Sequence, residues 1–183
     1  LPAPVLPRGG EGLPGFIQDR PADVIGGWVR LWIAGSLARH PNWDGVIRAT
    51  EGGISHWIRI SAEEAVSSQS FLTPRLIALL GGAAEPDPGA IENSLSRPER
   101  LAAHLRVAEV TGEAGAVSGH LIGAELAAAR PYWLGQRVAE LESASSPYAG
   151  VLASQGVPCD TCDPETLLAE GLGALAGTLG ISG

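Results

Sequence analysis

The sequence predicts an α/β protein in which a small antiparallel meander is followed by helices. Between residues 45 and 72, three short runs at 46 to 49, 54 to 60 and 66 to 72 are rich in β-branched and apolar residues. The first two flank Glu51-Gly52-Gly53, the turn chemistry of a hairpin. From residue 74 onward the apolar residues recur at helical spacing, with one further extended run at 137 to 141.

Taken in order, residues 1 to 22 are rich in Pro and Gly and carry little periodicity, as expected of a surface lead-in or the torn end of a longer chain. Residues 23 to 183 are expected to form a single α/β domain. A helix is predicted over 28 to 38, carrying Trp28, Leu31, Trp32 and Leu37, and stopping before His40-Pro41, where the proline disfavours helix at its neighbour. Two tryptophans on a short helix signal core or an interface. After the meander, Thr73-Pro74 reads as an N-cap with proline at the first helical position, so 74 to 80 should be helical and 81 to 88 a loop. Ser96-Arg97-Pro98-Glu99 matches a capping box, after which Leu101, Leu105 and Ala108 line one helix face. Val117, Leu121, Ala124 and Ala128 line the next, which ends near Arg130-Pro131. A helix over 148 to 154 and a last helix opened by Asp163-Pro164-Glu165 complete the chain.

A length of 183 residues suits one domain, or one lobe of a larger enzyme, and 45% hydrophobic content is enough for a core. The net charge of −8 and the scattered basic residues exclude a stripe that could neutralise successive phosphates of a nucleic acid. All 12 basic residues are arginine, so no lysine ammonium is available for phosphate contact or Schiff-base chemistry. No signal peptide is visible, and the apolar tail from 166 to 181 is broken by Glu170 and glycines, short of the roughly 18 apolar residues of a membrane span. A soluble, cytoplasmic protein is expected. Cys159 and Cys162 form a lone Cys-x-x-Cys; half a zinc site or a redox pair is one reading, but no second pair supports it, and an ordinary reduced loop is favoured.

Several residues could carry chemistry. Strand, glycine turn and strand can present backbone N–H groups to a phosphate, and Gly52 and Gly53 permit positive φ and close approach; a plain hairpin needs them for the same reason. Ser55 lies just after that turn. Ser118-Gly119 ahead of a helix could cradle a phosphate or adenosine and Gly123 could admit close packing, although small residues at this spacing more often serve packing throughout. His56 is a ligand or acid–base candidate, with an exposed strand histidine the favoured alternative. Glu125, among apolar helix positions, needs a partner if buried and is the best candidate for a functional carboxylate, with a simple solvated one the equal alternative. No residue set suggests a metal site.

Read in order, Gly15-Phe16, Pro21-Ala22-Asp23-Val24-Ile25, Asn42-Trp43-Asp44-Gly45-Val46-Ile47, Trp57-Ile58-Arg59-Ile60, Ser70-Phe71-Leu72-Thr73, Arg97-Pro98-Glu99-Arg100-Leu101 and the stretch from Ser118 to Arg130 resemble successive blocks of the 2-keto-3-deoxygalactonate kinase family. The resemblance implies a ribonuclease-H-like lobe of the actin-like ATPase and sugar kinase kind. It further implies phosphorylation of 2-dehydro-3-deoxygalactonate by ATP with Mg²⁺, with Gly27, Thr73 and Glu125 as substrate-binding candidates and Gly52, Gly53, Ser55, Ser118, Gly119 and Gly123 as phosphate or nucleotide candidates.

The departures from the family pattern are equally specific. Its opening Asp-Trp-Gly-Thr phosphate loop has no counterpart, so this chain resembles the later portion alone. Where the pattern has Arg-Gly-Glu-Glu-Thr-Gln, this chain has Gly26-Gly27-Trp28-Val29-Arg30-Leu31. Pro-Gly-Thr-His-x-Lys-Trp becomes Glu51-Gly52-Gly53-Ile54-Ser55-His56-Trp57, and Thr-Gly-Glu-Leu becomes Thr73-Pro74-Arg75-Leu76. Phosphoryl transfer depends on positioning and charge stabilisation, so these losses predict a chain with little or no activity. A non-catalytic sugar-acid or nucleotide binder, and a structural protein dimerising through Trp28 and Trp32, are the alternatives.

Overall fold

The computed structural model describes residues 1–7, 9, 12–142 and 146–180. The chain divides into two compact units. The first comprises Leu1–Glu51, His56–Ser70 and Gly135–Gly183, and the second Gly52–Ser55 with Phe71–Leu134.

The first unit is built on a six-stranded sheet, wider than the predicted meander. Its strands are β1 (Ala3–Pro4), β4 (Gly45–Glu51), β5 (Ile54–Ser61), β6 (Glu64–Phe71), β7 (Val138–Leu141) and β8 (Cys159–Cys162), in the order β1-β6-β5-β4-β7-β8. The turns β4-to-β5 and β5-to-β6 each contain two residues, which requires antiparallel pairing. Both residues of each turn have positive φ: Gly52 and Gly53 in one, Ala62 and Glu63 in the other. β7 runs parallel to β4, pairing Val46 with Val138 and Ala49 with Leu141, and β8 runs parallel to β7. Residues 45 to 49 are buried without alternation, as a strand covered on both faces requires.

The Cys-x-x-Cys read as a loop is therefore strand β8, paired from Val138↔Cys159 to Leu141↔Cys162. Three steps along a strand place the two cysteines on opposite faces roughly 10 Å apart, beyond disulfide reach. Burial, with Glu140 adding to it, pushes the Cys159 thiol up to about 11.

The lead-in is not featureless either. Strand β2 (Phe16–Asp19) pairs with β3 (Ala22–Ile25), and Phe16 and Val5 are buried in the core. The cause is Arg30 on helix α1 (Gly27–Arg39), 5% exposed, whose guanidinium donates to the carbonyls of Pro4, Val5 and Pro14 and lies over the Phe16 ring. Helix α7 (Pro147–Ser154) and helix α8 (Pro164–Leu179) complete the unit. Asp163 caps α8 as predicted, accepting from Glu165 N. α1 packs against α8 where Gly35 and Gly171 face backbone carbonyls too closely to admit a Cβ, and Arg39 reaches Glu170 at 2.7 Å. Ile33, Ile47, Ile58, Ile60, Leu141 and Leu167 fill the core beneath the sheet.

The second unit is helical: α2 (Thr73–Leu79), α3 (Pro88–Ser96), α4 (Leu101–Thr111), α5 (Ala114–Ala128) and α6 (Arg130–Trp133). Thr73 is the first residue of α2 and not its cap; Leu72 holds that position and no side chain caps the helix. α3 begins at Pro88, expected to close a loop, and runs through 89–95, for which no element was predicted. Asp87 caps it by accepting from Ala90 N at 2.6 Å. The predicted capping box at Ser96 does not form: Ser96 ends α3, and its hydroxyl bonds back to the carbonyls of Glu92 and Asn93. The expected face of α4 does pack on α5, with Leu101, Leu105 and Ala108 against Val117 and Leu121. No helix among the described residues is long and apolar enough to cross a membrane.

Candidate functional site

In the second unit, the hairpin turn and Glu125 come together. Glu125 is 3% exposed on α5, and Ser55, wholly buried, donates its hydroxyl to Glu125 Oε1 at 2.6 Å. Two residues singled out separately in the sequence are thus partners. Beside them, the Gly52 carbonyl accepts from Arg75 Nε and Nη2 at 3.2 and 2.9 Å. A Cβ at Gly52 would meet nothing within 4 Å, whereas one at Gly53 would touch the Arg75 side chain. The turn therefore offers open backbone at Gly52 next to an exposed guanidinium. Thr73 is buried at 5% in α2.

The other candidates of this unit are committed to packing. Ser118 and Gly119 lie inside α5, one turn past its start, not ahead of a helix. Ser118 is 1% exposed and donates to the Ala83 carbonyl at 2.7 Å. A Cβ at Gly119 would fall 2.5 Å from the Asp87 carbonyl oxygen, and one at Gly123 would clash with the Ile91 carbonyl. These glycines let α3 and α5 approach; they present no free backbone to a ligand. In the first unit, Gly27 opens α1, where a Cβ would lie 2.8 Å from the Leu13 carbonyl.

Two polar groupings in the first unit escaped the sequence reading. His56, expected on an exposed strand face, is 1% exposed. Its Nδ1 lies 2.6 Å from Ser70 Oγ, and Ser70 in turn donates to Asp23 Oδ2 at 2.8 Å. Ser68 donates to the same oxygen at 2.6 Å, and Gln18 bonds the Ser68 backbone through both ends of its amide. Burial is the main cause lowering the His56 pKa, opposed by Asp23 and Glu51. The available signal was Ser68 and Ser70 at period two, which places two hydroxyls on one face of the strand. The second grouping surrounds Arg48, 2% exposed, which bonds Glu140 at 2.5 Å, Glu142 and Thr50 at 3.0 Å, and lies 3.6 Å over the Tyr148 ring. Ser146 also bonds Glu140. This buried ion pair joins β4 to β7.

The mixed sheet with its flanking helices is the fold of a solved α/β protein. The crystal structure of a Sinorhizobium meliloti protein assigned as a 2-dehydro-3-deoxygalactonokinase superposes with a TM-score of 0.72 at 22% identity, over 88% of this chain and 62% of that one. The present chain thus spans less than two thirds of that protein's length. Residues 86–175 match the model of the 2-keto-3-deoxy-galactonokinase family, the family that the sequence motifs resemble. No curated protein matches the chain.

Proposed function

We propose that this chain is a sugar-acid kinase relative, with a ribonuclease-H-like first unit, that binds 2-dehydro-3-deoxygalactonate and ATP and transfers phosphate weakly or not at all. The family match over 86–175 carries the reading. The fold likeness and the extension of the meander by two parallel strands support the fold assignment. Weak transfer is supported by what became of the candidate grips: the Ser118 hydroxyl is spent on the Ala83 carbonyl, and Gly119 and Gly123 lie against the backbone of α3 and its cap.

The remaining turn fits a phosphate. Gly52 has positive φ and open surroundings, and Arg75 supplies a planar guanidinium of the kind that pairs with phosphate oxygens. When bound, ATP supplies the phosphoryl group and Mg²⁺ neutralises charge on it. Among the described residues no group of three or more His, Cys, Asp or Glu is placed to hold a metal, so Mg²⁺ would arrive on the nucleotide.

ADP release by the purified chain with ATP and the sugar acid tests the reading. Turnover in the range of about 1–100 s⁻¹ usual for kinases would overturn weak transfer. A thermal-shift titration with each ligand separately then tells binding from inheritance, since a ligand that binds only the folded state raises the melting temperature. No shift with either ligand removes the binding reading as well.

One observation favours a second reading, self-association. Trp28 is 58% exposed, and Ile17 and Val24, paired across β2 and β3, are 67% and 66% exposed. Trp32, expected beside Trp28 on that surface, instead packs partly buried against the core. A strictly monomeric species in light scattering counts against this reading.

A further inference from the structure

A cavity of about 640 Å³ in the first unit brings aromatic rings and carboxylates together, with no basic residue in its lining. Trp28 and Trp32, four residues apart on one face of α1, line it from that helix, and Pro164 and Leu168 line it from the start of α8. Glu51, Asp163 and Glu165 complete the lining. Two of these acids are placed by helix starts. A Cβ at Gly26, the N-cap of α1, would sit 3.2 Å from Glu51 Oε2, and Asp163 caps α8 by accepting from Glu165 N at 2.9 Å. Among the described residues no ion pair engages any of the three carboxylates. The cavity is reached from solvent, where Trp28 is 58% exposed.

The chain itself shows what such a set of groups holds. Arg48 lies 3.6 Å over the Tyr148 ring while pairing with Glu140 and Glu142, and other arginines lie over Phe16, Trp43 and Trp133. Among the described residues none lies over Trp28 or Trp32. We propose that this cavity binds a small-molecule guanidinium cation, its planar face against the indoles and its charge met by Glu51, Asp163 and Glu165. A guanidinium is weakly hydrated, stacks on aromatic faces and offers carboxylates a fork of N–H donors. The three acids repel the carboxylate of a sugar acid and the phosphates of ATP, so this ligand is neither, and the proposal does not rest on the kinase reading. Among the described residues no three His, Cys, Asp or Glu side chains are grouped to hold a metal ion, so the spread of charge suits a broad cation. The volume lies within the range of about 300–1,000 Å³ typical of small-molecule sites. Trp28 and Glu51 both stand at departures from the family pattern, so the chemistry of the cavity belongs to this chain.

The test titrates the full chain, labelled with ¹⁵N-tryptophan, with butylguanidinium chloride, and follows the five indole N–H resonances by NMR alongside calorimetry. Butylurea, close in shape but uncharged, is the control. Saturable binding is expected that weakens as salt rises, moving the resonances of Trp28 and Trp32 and leaving those of Trp43, Trp57 and Trp133 in place. Glu51→Gln should weaken it about fivefold, the effect of one charge at about 4 Å in water. Trp28→Leu, at an exposed position that leaves the fold intact, should weaken it about two- to fivefold. Absence of saturable binding overturns the proposal. So does equal binding of butylurea, the result expected of a merely apolar cleft. Tighter binding of a capped Gly-Arg-Gly peptide would assign the cavity to an arginine of a protein partner, and Trp28 and Trp32 resonances that move when the free chain is diluted would assign it to a second copy. Either result overturns the small-molecule ligand.

Discussion

Ser55 and Glu125, 70 residues apart in sequence and both buried, are joined by a 2.6 Å hydrogen bond from hydroxyl to carboxylate. It fastens the last turn of the hairpin to helix α5 within the second unit. Hydrogen bonds to charged groups contribute about 1.5–3 kcal/mol, so Ser55→Ala is expected to destabilise the chain by about that amount. The cost should shrink when Glu125→Gln has already removed the charge. Urea unfolding of the two single variants and the double variant measures the coupling. A Ser55→Ala variant as stable as the parent would show that Glu125 does not depend on this donor.

The close approach of α3 and α5 gives a second expectation. Alanine favours a helix over glycine by about 0.8–1 kcal/mol, but at Gly123 its Cβ would strike the Ile91 carbonyl, which cannot rotate away. Gly123→Ala should therefore lose stability, by about 1–3 kcal/mol as for other overpacked cores. Gly173, exposed on α8 with nothing within 4 Å of its would-be Cβ, is the control. Gly173→Ala should gain up to about 1 kcal/mol. Equal effects in thermal melts would mean that helix contact does not set the role of Gly123.

What the sequence could reveal follows from the range of the forces involved. Glu125 stood out because a carboxylate among apolar helix positions needs a partner, yet nothing local pointed to Ser55. Asp163 was legible as a cap because the bond it makes is to Glu165, two residues on. Ser96 misled for the converse reason: it can bond forward as a cap or back to its own helix, and the presence of α3 ahead of it decides. Pro88 read as the end of a loop because proline breaks helices, although it sits at the first position of α3, where its missing N–H is harmless. Strand β8 lacks apolar alternation and exists because β7 pairs with it. Arg30 orders a lead-in whose own composition promises nothing, by bonding three carbonyls far from it in sequence.

Two buried histidines set an acid limit on stability. The pKa values of His56 and His120 are both lowered, chiefly by burial, and that of His120 also by His104, whose ring lies 4.5 Å away. In the unfolded chain each histidine titrates near 6.5. As pH falls below that value the unfolded state takes up protons that the folded state refuses, so stability is fully present above about 6.5 and is lost as pH falls through the depressed folded values. Each unit of depression is worth ~1.4 kcal/mol. Denaturant melts from pH 7.5 to 5 should show the loss, and His120→Asn, which cannot titrate there, should reduce it to the His56 share. A pH-independent parent would mean that neither imidazole is held neutral by the fold.

The turn between β5 and β6 should be the easiest place to stabilise the protein. Ala62 and Glu63 adopt φ of 50° and 63°, a region that costs an L-residue with a Cβ roughly 1–2 kcal/mol. Two-residue hairpins of this kind favour Asn-Gly, because asparagine tolerates the left-handed region and glycine has no Cβ to strain. The contacts the turn makes are backbone ones: Ala62 N–H donates to Asp44 at 2.8 Å, and the Glu63 carbonyl accepts from Val5 N at 2.9 Å. Replacing the pair with Asn-Gly keeps both. The double substitution is therefore expected to raise stability by about 1–2 kcal/mol, read as a higher urea midpoint with an unchanged slope. An unchanged midpoint would show that the strain is relieved elsewhere in the turn.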